Sequence, residues 1–178
     1  MTVSHYPAAT FDPTVRRHTL AVIVDNEPGV LSRIAGLFSG RGYNIESLTV
    51  SETEHEKHLS RITVVTSGSE KVIEQIKAQL ERLVPVHRVV DLTLTGSAIE
   101  RELALVKVVG KGEHRMEALR LAAAFGARTI DATVTSFVFE LTGPTDEIER
   151  FIGVMSACGL AEVSRTGIAA MGRGAEVM

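Results

Sequence analysis

The chain has no tryptophan, and only two tyrosines and six phenylalanines among its 178 residues. That is too few rings for the stacking platforms that hold single-stranded nucleic acid. It also lacks an excess of positive charge. Nineteen Lys and Arg face 22 Asp and Glu, a net charge of −3, where a nucleic-acid surface needs a basic face or stripe. A single cysteine, Cys158, can form no intramolecular disulfide and no cysteine-rich zinc site, so a reducing compartment is expected. No run approaches the roughly 20 apolar residues of a membrane-spanning helix. The first residues, MTVSHYPAATFDPTVRRH, have no hydrophobic signal-peptide core. A cytoplasmic protein is the expectation.

What is present is aliphatic. At 44% hydrophobic and 23% charged, the composition is that of a soluble globular chain, with a core to be built from Val, Ile, Leu and Ala. Residues 1–17 read as a flexible N-terminal tail and 172–178 as a C-terminal one. Between them, 18-HTLAVIVD-25 is a short β-branched strand closed by turn residues. Val30, Leu31, Ile34, Leu37 and Phe38 then recur at helical spacing up to a capping Gly42. A hairpin follows, 43–53 and 59–67, with 52-ETEHEKH-58 as its turn. A helix over 69–84, with Ser69 as N-cap and Pro85 as its stop, and a strand over 86–94 complete a β-α-β-β-α-β order.

The order then repeats. A strand over 101–110, a helix over 113–126, strands over 128–135 and 136–143, a helix over 145–159 and a strand over 160–171 follow a linker at 95-TGSAIE-100. Thr19 aligns with Leu103 and Gly42 with Gly126, both at an offset of 84 (103 − 19 and 126 − 42). The expected fold is therefore α+β: two tandem ferredoxin-like βαββαβ modules, residues 18–95 and 96–171, each an antiparallel four-stranded sheet with two helices on one face.

No catalytic constellation emerges. His55 and His58 lie among Glu52, Glu54 and Glu56, but a hairpin turn gives no rigid frame and no third ligand at fixed spacing; a solvated turn is expected. Cys158 has no histidine at motif spacing and reads as a small buried hydrophobe. The glycines of 36-GLFSGRG-42 lack the Lys-Ser/Thr of a phosphate loop and fall at the anion-repelling end of a helix. His18, His87 and His114 stand alone.

The turn 25-DNEPGVLSRI-34 is different. Pro28 suits the first helical position, but Gly29 in a helix costs roughly 0.5–1 kcal/mol relative to alanine. A helix N-terminus offers free N–H groups with partial positive charge, and Gly29, flanked by Asn26, would let a small carboxylate approach them. Asn44, opening the second strand, could give a carbonyl oxygen to an ammonium group. Together these describe an α-amino acid. A tight βα turn with Asn26 in local hydrogen bonds satisfies the same residues, and at this point both readings stand.

The stretch VIVDNEPGVLSRIAGLFSGRGYNIESLTV closely resembles the start of the small regulatory subunit of acetohydroxyacid (acetolactate) synthase, whose first module is an ACT domain. The likeness extends through LSRITVV, EKVIEQIKAQLERLVPVHRV, ERELALVKV and the late RTG. It implies a non-catalytic subunit of branched-chain amino-acid biosynthesis. Such a subunit binds and activates a separate catalytic subunit, which carries thiamine diphosphate, magnesium and FAD, and confers feedback inhibition by valine. The resemblance also implies a homodimer through ACT domains with valine at the interface: Asn26, Gly29, Val30 and Leu31 from one protomer, Asn44 and Ile45 from the other. A free-standing amino-acid sensor acting on another partner is the alternative. The turn 109-VGKGEHR-115 of the second module lacks the same pattern, so no ligand is assigned to it.

Overall fold

The computed structural model describes residues 14–178 except 55, 57 and 95–97. Most of the expected tail, residues 1–13, and His55 of the hairpin turn thus lie outside the described residues. The elements run β1 (Arg16–Asp25), α1 (Val30–Arg41), β2 (Ser47–Glu54), β3 (Leu59–Gly68), α2 (Glu70–Leu80) and β4 (Val86–Asp91) in the first module. The second has β5 (Ala98–Val109), α3 (Glu113–Ala124), β6 (Arg128–Ala132), β7 (Ser136–Gly143), α4 (Thr145–Ser156), β8 (Leu160–Arg165) and β9 (Ala169–Gly172). The sheet orders β2-β3-β1-β4 and β6-β7-β5-β8 are the same permutation, as two ferredoxin-like modules require.

Each sheet buries one face under its helices. Alternation in β1 sends Leu20, Val22 and Val24 towards Ile34 and Phe38 of α1 and Ile73, Ile76 and Leu80 of α2. In the second module Ala104, Val106 and Val108 meet Ala118, Phe151 and Met155. Period two in the strands and the 3.6-residue helical stripe dictate these pairs. At the edge of the first core, the buried His18 Nδ1 and Asp91 Oδ2 are 2.7 Å apart, and Thr93 N–H donates to Asp91 Oδ1 at 2.9 Å.

Several boundaries differ from those read in the sequence. Pro28 lies in the turn before the helix, because Gly29 is itself the N-cap and α1 starts at Val30. The second strand starts at Ser47, leaving Asn44 and Ile45 in the connection from α1. Helix α2 stops at Leu80, short of Val84, and closes in turns held by Leu83 N–H to Leu80 O and Val86 N–H to Leu83 O. Ser69 sits at the N-cap without a side-chain capping bond.

The larger corrections concern the junction. Residues 98–100, expected as linker, begin the 12-residue strand β5. The expected strand over 160–171 is two strands, β8 and β9, separated at Thr166–Ile168. Strand β9 pairs with the first four residues of β5, Ala98 to Arg101, whereas β7 and β8 pair with the remainder. This ribbon leaves the second sheet and covers the helix-free face of the first, where Ile168 and Ala170 bury against Ala21, Val65 and Leu92. Met178 packs on the same cluster, and Arg88 donates to Val177 O at 3.2 Å. The C-terminal residues are therefore not the free tail the sequence suggested.

Candidate ligand site at the first turn

The end of β1 is pinned before the chain turns. Asp25 N–H donates to Pro85 O at 2.9 Å, and Asn26 N–H to His58 O at 2.7 Å. The next residues are exposed, and the backbone reaches Gly29 with φ 90° and ψ −9°, in the left-handed region. A side chain there would be strained by its backbone, yet a Cβ built on Gly29 meets nothing within 4 Å. The glycine is demanded by local geometry, and the space beside it is open.

Helix α1 begins at that opening without a side-chain cap. Arg33 N–H reaches Gly29 O at 3.0 Å and Val30 N–H makes a long 3.4 Å contact with Glu27 O. The N–H groups of Leu31 and Ser32 find no acceptor among the described residues. Such orphan donors at the positive end of a helix dipole suit a carboxylate. Leu31 is 42% exposed beside them, while the Val30 side chain is sealed in the core. Val30 can thus offer a ligand only its backbone.

The strand half of the expected site lies elsewhere. Asn44 is exposed, with its carbonyl accepting a 2.6 Å bond from Thr66 Oγ1. Ile45 is half-buried and packs on its own module's core, so only part of it can face a ligand. Register fixes the distance between the halves. Asp25 is level with Leu59 and Glu54, whereas Thr19 is level with Val65 and Ser47. Six residues (25 − 19) at about 3.3 Å each put the two ends roughly 20 Å apart. One chain therefore does not bring Asn44 and Ile45 to Asn26, Gly29 and Leu31.

The corresponding turn of the second module is built otherwise. Gly112 caps α3 with φ 60° and ψ −130°. Arg115 lies 3.7 Å over the Phe137 ring and donates to Ser136 O at 3.4 Å. The hollow of about 870 Å³ beside this helix start is lined by Gly112, Glu113, His114, Met116, Glu117 and Arg120, and the Arg120 guanidinium is already paired with Glu117 at 2.6 Å. Among the described residues no group of three or more His, Cys, Asp or Glu is gathered as metal ligands would be; His58 is exposed with φ 51°. Cys158 is buried, and burial together with the Glu117 carboxylate pushes its thiol pKa up, away from nucleophilic use.

A second cluster, not foreseen in the sequence, occupies the seam between the modules. Arg165 makes a two-pronged pair with the buried Glu102 and reaches Glu149 on α4 at 2.5 Å. The Glu102 hydrogen bond is the main reason the Arg165 guanidinium is held above its ordinary pKa. Arg17 bridges Glu46 at 3.6 Å and Glu100 at 3.2 Å. Arg17, Glu46, Glu102, Glu149 and Arg165 line a cavity of about 460 Å³ together with Gly167 and Ile168. The one hint in the sequence was Gly167, an isolated glycine in an apparent strand, which marks a bulge or a close backbone approach.

The family model described as "AHAS small subunit-like ACT domain" matches residues 20–88, and "Small subunit of acetolactate synthase" matches residues 101–174. The chain is 47% identical over 158 residues to the probable acetolactate synthase small subunit of Archaeoglobus fulgidus, covering 89% of this chain and 98% of the relative. It is 44% identical over 163 residues to the acetolactate synthase isozyme 3 small subunit of Salmonella typhimurium, covering 91% and 99%. Its fold superposes on the crystal structure of the acetolactate synthase small subunit from Thermotoga maritima with a TM-score of 0.81. The identity there is 38%, and the match covers 90% of this chain and 99% of that one.

Proposed function

The chain belongs to the acetolactate synthase small-subunit family, and from that premise we propose that it is the enzyme's regulatory subunit, activating a catalytic large subunit and making it inhibitable by valine. The carrying observation is the split site: an open, uncapped helix start at Gly29, and Asn44 at the opposite end of an edge strand. Among the described residues strand β2 has no neighbour on its outer side, and an exposed edge is a template for a second copy. Antiparallel pairing of two β2 strands brings the start of one to the end of the other. Asn44 of one protomer then lies level with its partner's Asn26–Leu31 turn. An α-amino acid suits that junction, its carboxylate on the orphan amides and its ammonium on the Asn44 amide oxygen. Leu31 and the exposed part of Ile45 offer an aliphatic wall for an isopropyl group.

Valine at such a junction would favour one dimer arrangement over another, and only this difference in affinity can inhibit. The chemistry would belong to the large subunit, with thiamine diphosphate, magnesium and flavin bound there. Co-purification with a thiamine-diphosphate enzyme distinguishes this role from that of a free-standing sensor.

Complementation tests the two-chain site. Gly29→Asp alone and Asn44→Ala alone should each abolish or severely weaken valine binding in calorimetry. Mixed dimers of the two variants carry one doubly altered site and one intact site, so they should recover about half of the wild-type stoichiometry. No recovery on mixing would count against a site shared between chains.

A further inference from the structure

We propose that Thr166–Gly167–Ile168 is a coupling strap, through which valine occupancy at the start of β2 is transmitted to the second module. The inference rests on the split-site reading above and adds the route by which that site acts. Only one residue separates Ile45 from Ser47, and Ser47 is where the second module takes hold. Its Oγ accepts a 3.0 Å bond from Ile168 N–H. Gly167, at φ 81°, lies so near β2 that a Cβ would stand 2.9 Å from both Ser47 Oγ and Thr49 Oγ1. Ile168 and Ala170 are buried on the sheet behind, and Arg61 holds Ala170 O at 2.7 Å. The strap cannot stay in place while the start of β2 moves.

A second link runs in parallel. Glu46, adjacent to Ile45, is bonded by Ser67 and paired with Arg17, and Arg17 pairs with Glu100. Glu100 stands two residues before Glu102 on β5, and Arg165 stands directly before the strap. Both links therefore end on the same pair, Glu102 with Arg165, which Arg165 extends to Glu149 on α4. Packed elements with discrete arrangements transmit small shifts because they do not deform continuously. Repositioning of Asn44–Ser47 by a ligand is thus delivered to β8 and α4.

The test uses the holoenzyme reconstituted with the large subunit and three variants: Ser47→Ala, Ser47→Thr and Gly167→Ala. Each is measured for valine affinity by calorimetry and for activity at saturating valine. Ser47→Ala and Gly167→Ala should bind valine near the wild-type affinity and activate normally. Their inhibition, a coupling of about 5–150-fold in systems of this kind, should collapse towards none. Ser47→Thr, which keeps the hydroxyl, should remain inhibited. Full inhibition of both uncoupling variants would overturn the strap, and so would parallel loss of binding and inhibition. If Gly167→Ala does not fold, Ser47→Ala decides alone, since it removes one hydroxyl and leaves the backbone unchanged. Failure of the wild-type chain to bind valine would instead overturn the split-site reading.

Discussion

Gly29 shows how one residue carries both a fold constraint and a binding hypothesis. In the sequence it looked like a defect inside a helix; in the structure it precedes the helix in left-handed backbone, where an ordinary L-residue would cost roughly 1–2 kcal/mol. Its φ explains the glycine, and the vacant space beside it is what a ligand could use. Gly29→Asn and Gly29→Asp separate strain from charge, since they are nearly isosteric and both tolerate this backbone better than most residues. Two carboxylates about 4 Å apart repel by about 4 kcal/mol at an effective dielectric near 20, about a thousandfold in affinity. Calorimetry should therefore find valine binding weakened in the Asn variant and absent in the Asp variant. Equal losses would assign the effect to shape. Cys158 allows a simpler check: its raised thiol pKa means less thiolate at any given pH. Iodoacetamide at pH 8 should leave the folded chain unlabelled and label it in urea. Gly42 was legible in the sequence as a helix cap, and Gly29 as an anomaly at the helix start, because turn and cap chemistry is local. Gly167 stood out only as an isolated glycine, because its approach to Ser47 and Thr49, some 120 residues earlier, is a long-range contact.

At the level of elements, periodicity located every helix and all but the last strand among the described residues, and the misses lie where a proline or a tertiary contact overrides it. Helix α2 stops at Leu80 although its apolar spacing continues to Leu83, since Pro85 disfavours helical backbone at Val84 and the turn delivers β4 into the sheet. Strand β5 was read short because 98-AIE-100 carries no strand pattern of its own; pairing with β9 supplies the order. Within β5, Glu102 occupies an inward position that alternation reserves for apolar residues, and Arg165 makes this tolerable. Glu102→Ala should lower stability by about 1–3 kcal/mol, the cost of removing hydrogen bonds from a buried site. The discount from larger buried-pair values reflects Arg165, whose side chain is 31% exposed and keeps Glu149. A denaturant titration should show the midpoint falling with the slope unchanged. A changed slope would mean that the variant had loosened the fold.

For the whole molecule, the decisive feature is a third apolar cluster besides the two helix-covered cores. The first sheet would expose Ala21, Val65 and Leu92 on its helix-free face were it not for Ile168 and Ala170 of the second module. Strand β5 contributes to both sides of the junction, so the modules repeat in topology without being independent. Nothing in the sequence announced this, because Ile168 and Ala170 look like ordinary members of a final strand. Two truncations separate the contributions. Ending the chain after Arg165 removes the strap and β9, and the burial of Ile168 alone is worth about 1.5–3 kcal/mol. At roughly 2–4 °C per kcal/mol for a chain of this size, melting should fall by roughly 3–12 °C, with new binding of a hydrophobic dye. Ending it after Arg173 keeps β9 and removes a segment whose Val177 is exposed. That chain should melt within a few degrees of the full-length protein and bind no dye. Equal behaviour of the two truncations would mean that Met178 and its neighbours, rather than the strap, seal the face, and the two modules would then be joined more loosely than the register of β5 and β9 implies.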